Sequence, residues 1–539
     1  MYLLSNKIKC AIICMALAVF VPVFVGSVAA QVIVADKNVY NSVQQIGKSG
    51  KGIKAFYASV DYKPIWAGPK NKNRRRALYS ALNTSGDHGL PVARYKLSAL
   101  KKALNNARSG EKLGTAEIMA TKTFLQYAHD ISSGAVNPRR IDKDIAIKRP
   151  RRSDHKLLTS LEKSDATAFM KSLAPRTKEY QRLLVEKKKL IREVSSSASN
   201  KEIPSRTLRI GMSGKSVVLL RKRLKSLGYA NLGNSTKFDE QLKASVISFQ
   251  KANGLNTDGV AGSGTIGYLN QGPKQRLIKV LVNLERERWM NFPRGKRHIF
   301  VNQASFTVYV KDNGKASFET RAVIGTRDKD RRTPEFYDEM THMVINPTWH
   351  VPSSIAGKEY LPILRKNPGF FDNKNMVMIS KTGENIHPTS VDLSQYSEKN
   401  FPFSIKQRPD PGNALGRVKF MFPNRFNIYL HDTPSKSLFL KDVRAFSHGC
   451  VRLQKPLEFA YKLLEKQTSN PITAFSALLE TGKEQYVNLA KPIPVYLTYR
   501  TAYFGNASKP SYFPDIYGRD KKIFKALSNA GVSLGAVRS

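Results

Sequence analysis

The chain has 539 residues, 41% apolar and 9% aromatic, long enough for several packed cores and too apolar for a wholly disordered polymer. Lysine and arginine number 89 against 41 acidic residues, a formal charge of +48 that draws anionic polymers to the surface. No nucleic-acid recognition motif accompanies that charge, so nucleic acid is not expected as a partner.

At the N-terminus, Lys7 and Lys9 precede an apolar run from Cys10 to Gly26, and Ser27 to Ala30 supplies small residues ahead of Gln31. This layout predicts a secretory signal peptide over residues 1–30. The alternative, a retained membrane anchor, is disfavoured by the shortness of the run and by Pro22 within it. Cys10 and Cys14 both lie in the run, so the exported chain keeps a single thiol, Cys450, and a charge of +46 once Lys7 and Lys9 are gone. An odd cysteine in an oxidising compartment is either reactive or buried and inert. The polyanions available outside the cytoplasm are wall peptides with free carboxylates and lipid phosphates.

Residues 31–195 read as a helical scaffold, with Ile118, Phe124, Leu125 and Ala128 able to share one helix face. The polar run from Ser195 to Asn200, followed by Pro204, predicts a linker over 196–206. Val217, Leu220, Leu224 and Leu227 then repeat at helical spacing and stop at Gly228. Leu242, Val246 and Phe249 mark a second helix, and glycine turns at Gly254, Gly259 and Gly262 lead to a third. This unit, 207–272, resembles the peptidoglycan-binding-like domain through Gly211, Gly214, Val217, Leu224, Gly228, Phe249, Gln250, Gly254, Leu255, Asp258, Gly259, Gly262 and Thr265. Arg221 stands where that family usually has glutamine, so no binding role is carried over to it.

From His298 the period changes to the alternation of strands, with Asp312-Asn-Gly314 as a hairpin turn. Further strands are expected at 316–324, 343–346, 427–430 and 494–503. Between Pro352 and Pro423 lies a proline- and glycine-rich insertion with a short helical piece from Lys358 to Arg365, which suggests a lid. Residues 511–539 read as a basic tail carrying one amphipathic segment around Ile523 to Leu527.

The chemistry gathers around Phe446-Ser-His-Gly-Cys-Val-Arg-Leu453. A helix is expected from Pro456, close enough for its dipole and free N–H groups to favour the Cys450 thiolate and to hold an oxyanion. Gly449 permits a tight turn beside the thiol. His431, at the end of an apolar strand, and His448, two residues before the thiol, are candidate bases for a Cys/His acyl-transfer site. An inert buried cysteine and a zinc site built from His431, His448 and Cys450 are the alternatives; the spacing fits no paired zinc pattern.

His431-Asp-Thr-Pro434 followed by Ser447-His-Gly-Cys-Val-Arg452 resembles the signature of the L,D-transpeptidase (YkuD-like) family. Asn346 to Pro352, Gly412 to Gly416, Asn283 to Trp289, and Tyr62, Trp66, His88, Gly89 and Leu90 extend the resemblance to the large Gram-negative branch. The fold class implied is α+β multidomain: a mainly β catalytic domain over 273–510 with a capping insertion at about 352–423, a three-helix peptidoglycan-binding-like domain and a helical scaffold. The resemblance implies Cys450 as nucleophile and His431 as proton donor and acceptor, oriented by a backbone carbonyl. Ser447, His448 and Gly449 would shape the oxyanion pocket, Arg452 would meet a substrate carboxylate, and Tyr429 and Trp349 would line the pocket. The implied reaction needs no cofactor and no metal. Cys450 attacks the bond between diaminopimelate and D-alanine in a tetrapeptide stem, D-alanine leaves, and an amine of another stem takes the acyl group. Acylation by carbapenems is implied too. The expected location is the periplasm, with an inner-membrane anchor if the signal stays uncleaved. Water or an outer-membrane protein amine as acceptor, and a non-catalytic wall-binding scaffold, are the competing readings.

Overall fold

The computed structural model describes residues 35–108, 110–196, 201–229 and 232–534, so the expected signal peptide and its two cysteines lie outside the described residues. No helix among the described residues is long and apolar enough to cross a membrane.

The N-terminal body is helical, and its longest helix, Glu111–Ser133, buries Ile118, Phe124, Leu125 and Ala128 as their spacing predicts. That helix also buries Glu117, a cost offset by hydrogen bonds. The carboxylate accepts from the Ile65, Trp66 and Ala67 amides at 2.7, 3.0 and 2.7 Å and from the Tyr57 hydroxyl at 2.6 Å, pinning the Tyr62–Trp66 loop to the helix. The last helix of this body, Lys178–Ser196, continues past Ser195, where a linker was expected. Beyond it Ile203 is buried, its backbone clasped by the Asn270 amide at 3.0 and 2.8 Å. The chain entering the next unit is therefore fastened to that unit's far end.

That unit packs three helices, Lys215–Ser226, Glu240–Ala252 and Ser263–Leu269, around Val217, Leu220, Leu224, Leu242, Val246 and Ile266. Gln250 donates to Asp258 Oδ1 and the Val260 carbonyl and accepts from the Gly259 amide, each within 2.9 Å. Most of the residues that carry the resemblance here hold the corners of the unit. Arg221 is buried and paired with Asp239 at 2.8 Å, so it too is structural.

The helix Pro273–Trp289 is buried on nearly every side. An amphipathic surface helix would keep its charges in water; here they find partners from three directions. Arg288 pairs with Glu285 at 2.7 Å and donates to the His88 carbonyl at 2.8 Å, and Glu285 accepts from the Val136 amide at 3.0 Å. Arg286 pairs with Asp520 at 2.6 Å, and Glu287 with Arg294 and Arg500, each at 2.9 Å.

The catalytic body contains strands β1 (Arg297–Asn302), β2 (Thr307–Asp312), β3 (Lys315–Gly325), β4 (Phe336–Ile345), β5 (Trp349–His350), β6 (Met376–Ile379), β7 (Asn385–Ile386), β8 (Ser404–Gln407), β9 (Val418–Met421), β10 (Leu430–His431), β11 (Ala445–Ser447), β12 (Val451–Leu453), β13 (Gln485–Thr498), β14 (Ala502–Tyr503) and β15 (Ser511–Tyr512). Nine form one sheet in the order β11-β3-β12-β10-β9-β4-β13-β1-β2, and β2 pairs back onto β3, which closes it. Most neighbours are antiparallel; β1 with β13, β10 with β12 and β11 with β3 are parallel. The insertion forms a separate four-stranded sheet, β5-β8-β6-β7, with its own core of Val351, Leu361, Leu364, Phe371, Met378 and Ile405.

Two expectations are corrected. Residues 427–429 are not strand: the Asn424 side chain accepts from the Phe426 and Ile428 amides and donates to the Phe422 and Ile428 carbonyls, and Asn427 takes φ 51°, so the segment is a loop that ends in the two-residue β10. The segment read as a basic tail is, as far as described, part of the core. Its helix Arg519–Asn529 buries Ile523 and Leu527 beside Asp520, because Arg286 and Glu335 require partners there.

Candidate active site

Strands β10 and β12 run parallel with Leu430 opposite Val451 and His431 opposite Arg452. Side chains alternate across a sheet, so Leu430, Val451 and Leu453 point into the core and are fully buried, while Tyr429, His431, Cys450 and Arg452 share the other face. One register explains why four polar groups separated by up to 23 positions meet.

Cys450 leaves β11 through Gly449, whose φ of 122° favours glycine and where a Cβ would come 3.0 Å from Ile428 Cδ1. The Gly449 carbonyl accepts from the Thr333 hydroxyl at 2.7 Å, and Thr333 Oγ1 in turn accepts from the Gly325 amide at 2.9 Å, so a buried threonine fixes the turn before the thiol. The thiol donates to the Asn427 carbonyl at 3.6 Å. Burial pushes the Cys450 pKa up to about 11, against the pull of the Tyr429 amide, the Tyr429 hydroxyl and the Arg452 charge. The expected helix-dipole assistance is a further correction: β12 intervenes, and the helix begins only at Pro456. Tyr429 and Arg452 are the groups left to stabilise a thiolate.

His431 is buried, and its Nδ1 donates to the Asp432 carbonyl at 2.5 Å, which leaves Nε2 as an acceptor. Burial, with the Arg452 charge second, lowers its pKa to about 3, so the ring is neutral at physiological pH. Asp432 is itself fixed by the Arg417 amide at 2.9 Å, the Thr433 amide at 2.6 Å and Lys436. Gly416 lies against that carboxylate so closely that a Cβ would come within 2.3 Å of it, which accounts for the glycine ending the 412–416 motif. Asn413, in the same motif, donates to the Pro347, Gln407 and Arg408 carbonyls at 3.0 to 3.2 Å and ties the cap sheet to the catalytic sheet.

His448 and Ser447 part company. Ser447 is buried in β11, its carbonyl accepting from the Thr326 amide at 2.8 Å. His448 Nε2 meets Glu359 Oε1 at 2.5 Å, and Arg331 Nη2 reaches the same oxygen at 2.8 Å. Glu359 belongs to the cap, so the cap is tied to the segment carrying the thiol through one carboxylate. Trp349 lies on β5, its ring 6.2 Å from Tyr360, within the cap rather than on the face that holds Cys450. Arg452 Nε is buried with no partner among the described residues. Among the described residues no three His, Cys, Asp or Glu side chains gather as a metal site. Sequence reasoning missed Glu359, Thr333, Asn424 and Asn427; of these only the Asn-Arg-Phe-Asn run from 424 carried a turn signal.

Comparison with known proteins identifies residues 296–473 as an L,D-transpeptidase catalytic domain of the YkuD family, 213–269 as a peptidoglycan-binding domain and 51–186 as a scaffold domain. A Haemophilus influenzae protein whose name assigns it to the L,D-transpeptidases is 33% identical over 251 residues, 47% of this chain, and the match spans 50% of that relative. Crystal structures of L,D-transpeptidases from Stackebrandtia nassauensis and Xylanimonas cellulosilytica cover 54% of this chain, and 94% and 98% of their own, at 15% and 16% identity. Their TM-scores of 0.23 and 0.17 carry no further argument. Residues 296–473 thus match the L,D-transpeptidase catalytic-domain family, in an α+β multidomain chain whose other parts match scaffold and peptidoglycan-binding domain families.

Proposed function

We propose that this protein is a peptidoglycan L,D-transpeptidase with Cys450 as its nucleophile. The observation that carries the reading is the shared face of β10 and β12, which sets Tyr429, His431, Cys450 and Arg452 together beside a cap tied down through Glu359.

The resting pair is a neutral thiol and a neutral imidazole, so the proton moves as the bond forms. Sulfur attacks the carbonyl joining diaminopimelate to the terminal D-alanine of a tetrapeptide stem, and the thiol proton passes to His431 Nε2. The tetrahedral intermediate collapses to a thioester, and D-alanine leaves as an amine carrying that proton. An amine of a second stem then attacks the thioester, loses a proton through His431, and the thiol is restored. Arg452 supplies a positive charge for a substrate carboxylate, and Ser447, His448 and Gly449 border the carbonyl oxygen. Residues 273–510 are read as the catalytic unit, 207–272 as a wall-facing module and 31–195 as scaffold. The site of action is the cell envelope, reached by cleavage of residues 1–30.

Intact mass of the purified protein, incubated with a tetrapeptide stem and separately with meropenem, tests the proposal. A thiol-dependent adduct, lost in Cys450→Ser, and a dimeric stem lacking one D-alanine are expected. Trimmed stems alone would make water the acceptor, and no adduct on folded protein would overturn the reading.

A further inference from the structure

The scaffold body contains a cavity of about 640 Å³, within the range of small-ligand sites, and it shares no residue with the Cys450 site. Its floor is the second half of the Glu111–Ser133 helix and its far wall the segment from Arg149 to Asp154.

The charges lining it do not balance. Both carboxylates are already committed: Asp130 accepts from Arg94, Tyr95 and Gln126 at 2.9, 3.0 and 2.8 Å, and Asp154 accepts from His129 Nε2 at 2.7 Å. The cations are not. Arg149 spends one nitrogen on the Gly134 and Val136 carbonyls, at 3.0 and 3.3 Å, which aligns its guanidinium without neutralising it. The side chains of Arg140, Arg151 and Lys122 make no hydrogen bond or ion pair among the described residues. Burial lowers the Arg149 pKa; Glu285 and Asp130 pull it back up, and the Arg151 charge adds to the lowering. A concave site whose acids are spent and whose guanidiniums are not lacks an anion.

We propose that this cavity binds an oxyanion, gripped by Arg140, Arg149 and Arg151. Planar guanidiniums suit carboxylate and phosphate alike. Two sources share that chemistry: the carboxylates of a wall peptide stem, a source that rests on the function proposed above, and free phosphate, which does not. Wall-peptide binding here would give the scaffold a hold on the polymer separate from the catalytic pocket and from the three-helix module.

The test is calorimetric titration of full-length Cys450→Ala protein with two probes, inorganic phosphate and the tripeptide L-alanyl-γ-D-glutamyl-diaminopimelate, before and after adding Arg140→Ala and Arg151→Ala. Both arginines are exposed and neither is bonded, so the fold is expected to survive, as an unchanged melting temperature would verify. Loss of one charge-assisted contact weakens binding about tenfold. A fall of at least about tenfold for the tripeptide alone supports a wall-peptide site, and for phosphate a small-anion site. Absence of saturable binding by both probes, or equal affinity in parent and variant, overturns the proposal. Meropenem acylation of the double variant with Cys450 intact checks the Cys450 site separately: a parent rate alongside weakened anion binding places the loss in the scaffold cavity, and a rate that falls with it overturns the assignment to a separate site.

Discussion

At pH 7 the Cys450 thiol is expected to react with iodoacetamide about tenfold more slowly than an ordinary cysteine. Burial raises its pKa from 9.0 to about 11, which lowers the thiolate population about 100-fold, while the more basic thiolate regains roughly tenfold in nucleophilicity. Removing the hydroxyl in Tyr429→Phe deletes a hydrogen bond to the charged sulfur, worth about 1.5 to 3 kcal/mol, and should slow alkylation by a further tenfold or more. The assay is adduct formation by intact mass from pH 6 to 11. Rates that plateau below pH 9, or a Tyr429→Phe variant that reacts faster than the parent, would refute the account of the resting thiol. Acylation by meropenem should behave differently, because there His431 removes the proton during attack. With its pKa lowered to about 3, His431 remains a neutral acceptor at pH 5, where an imidazole of ordinary pKa 6.5 would be only about 3% neutral. Activity that halves near pH 6.5 would show that His431 is not held as described.

Substituting Glu359→Ala should free the cap from His448 and Arg331, raising KM for the stem about tenfold and speeding hydrogen exchange over residues 353–366, with meropenem acylation changed less. Gly449→Ala forces a side chain into a left-handed position against Ile428, at a cost of about 1–3 kcal/mol, and should cut acylation more than 100-fold while a thermal melt still shows a folded protein. Arg288→Leu strands Glu285 inside the protein and should cost about 3–5 kcal/mol, read as a lower denaturant midpoint; an unchanged midpoint would remove this pair from the list of what joins scaffold to catalytic body.

The sequence exposed those parts of the site that follow from short spacings. Cys450 and Arg452 are two apart where the chain enters β12 and so share a face, and the glycine before the thiol announced a turn. The three-helix unit was legible because its leucines and valines repeat at helical spacing and its glycines mark the corners. What stayed hidden depended on distant pairing. Glu359 is 89 positions from His448, in a helical turn whose composition gives no hint of its partner. The Pro456 helix was seen, but not the three-residue β12 before it, because Val-Arg-Leu fits a strand as well as a helix approach. The C-terminal segment looked like a tail because basic residues dominate it, and only the buried Arg286 explains why Asp520 must come inside.

The Pro273–Trp289 helix has a mechanical consequence. It carries partners for the scaffold on one side and for the sheet and the C-terminal helix on the other, so those elements share one framework and should unfold as one unit. The three-helix unit is tied at its margin by Asn256 to Asp442 at 2.8 Å, Arg321 to the Leu255 carbonyl at 3.3 Å and Lys509 to the Gly228 carbonyl at 2.8 Å, and its Tyr268 packs against the core of the larger body. Water can replace each of the polar ties at little cost. Under load from a stretched polymer, that unit would therefore let go first, acting as a sacrificial joint that spares the geometry around Cys450.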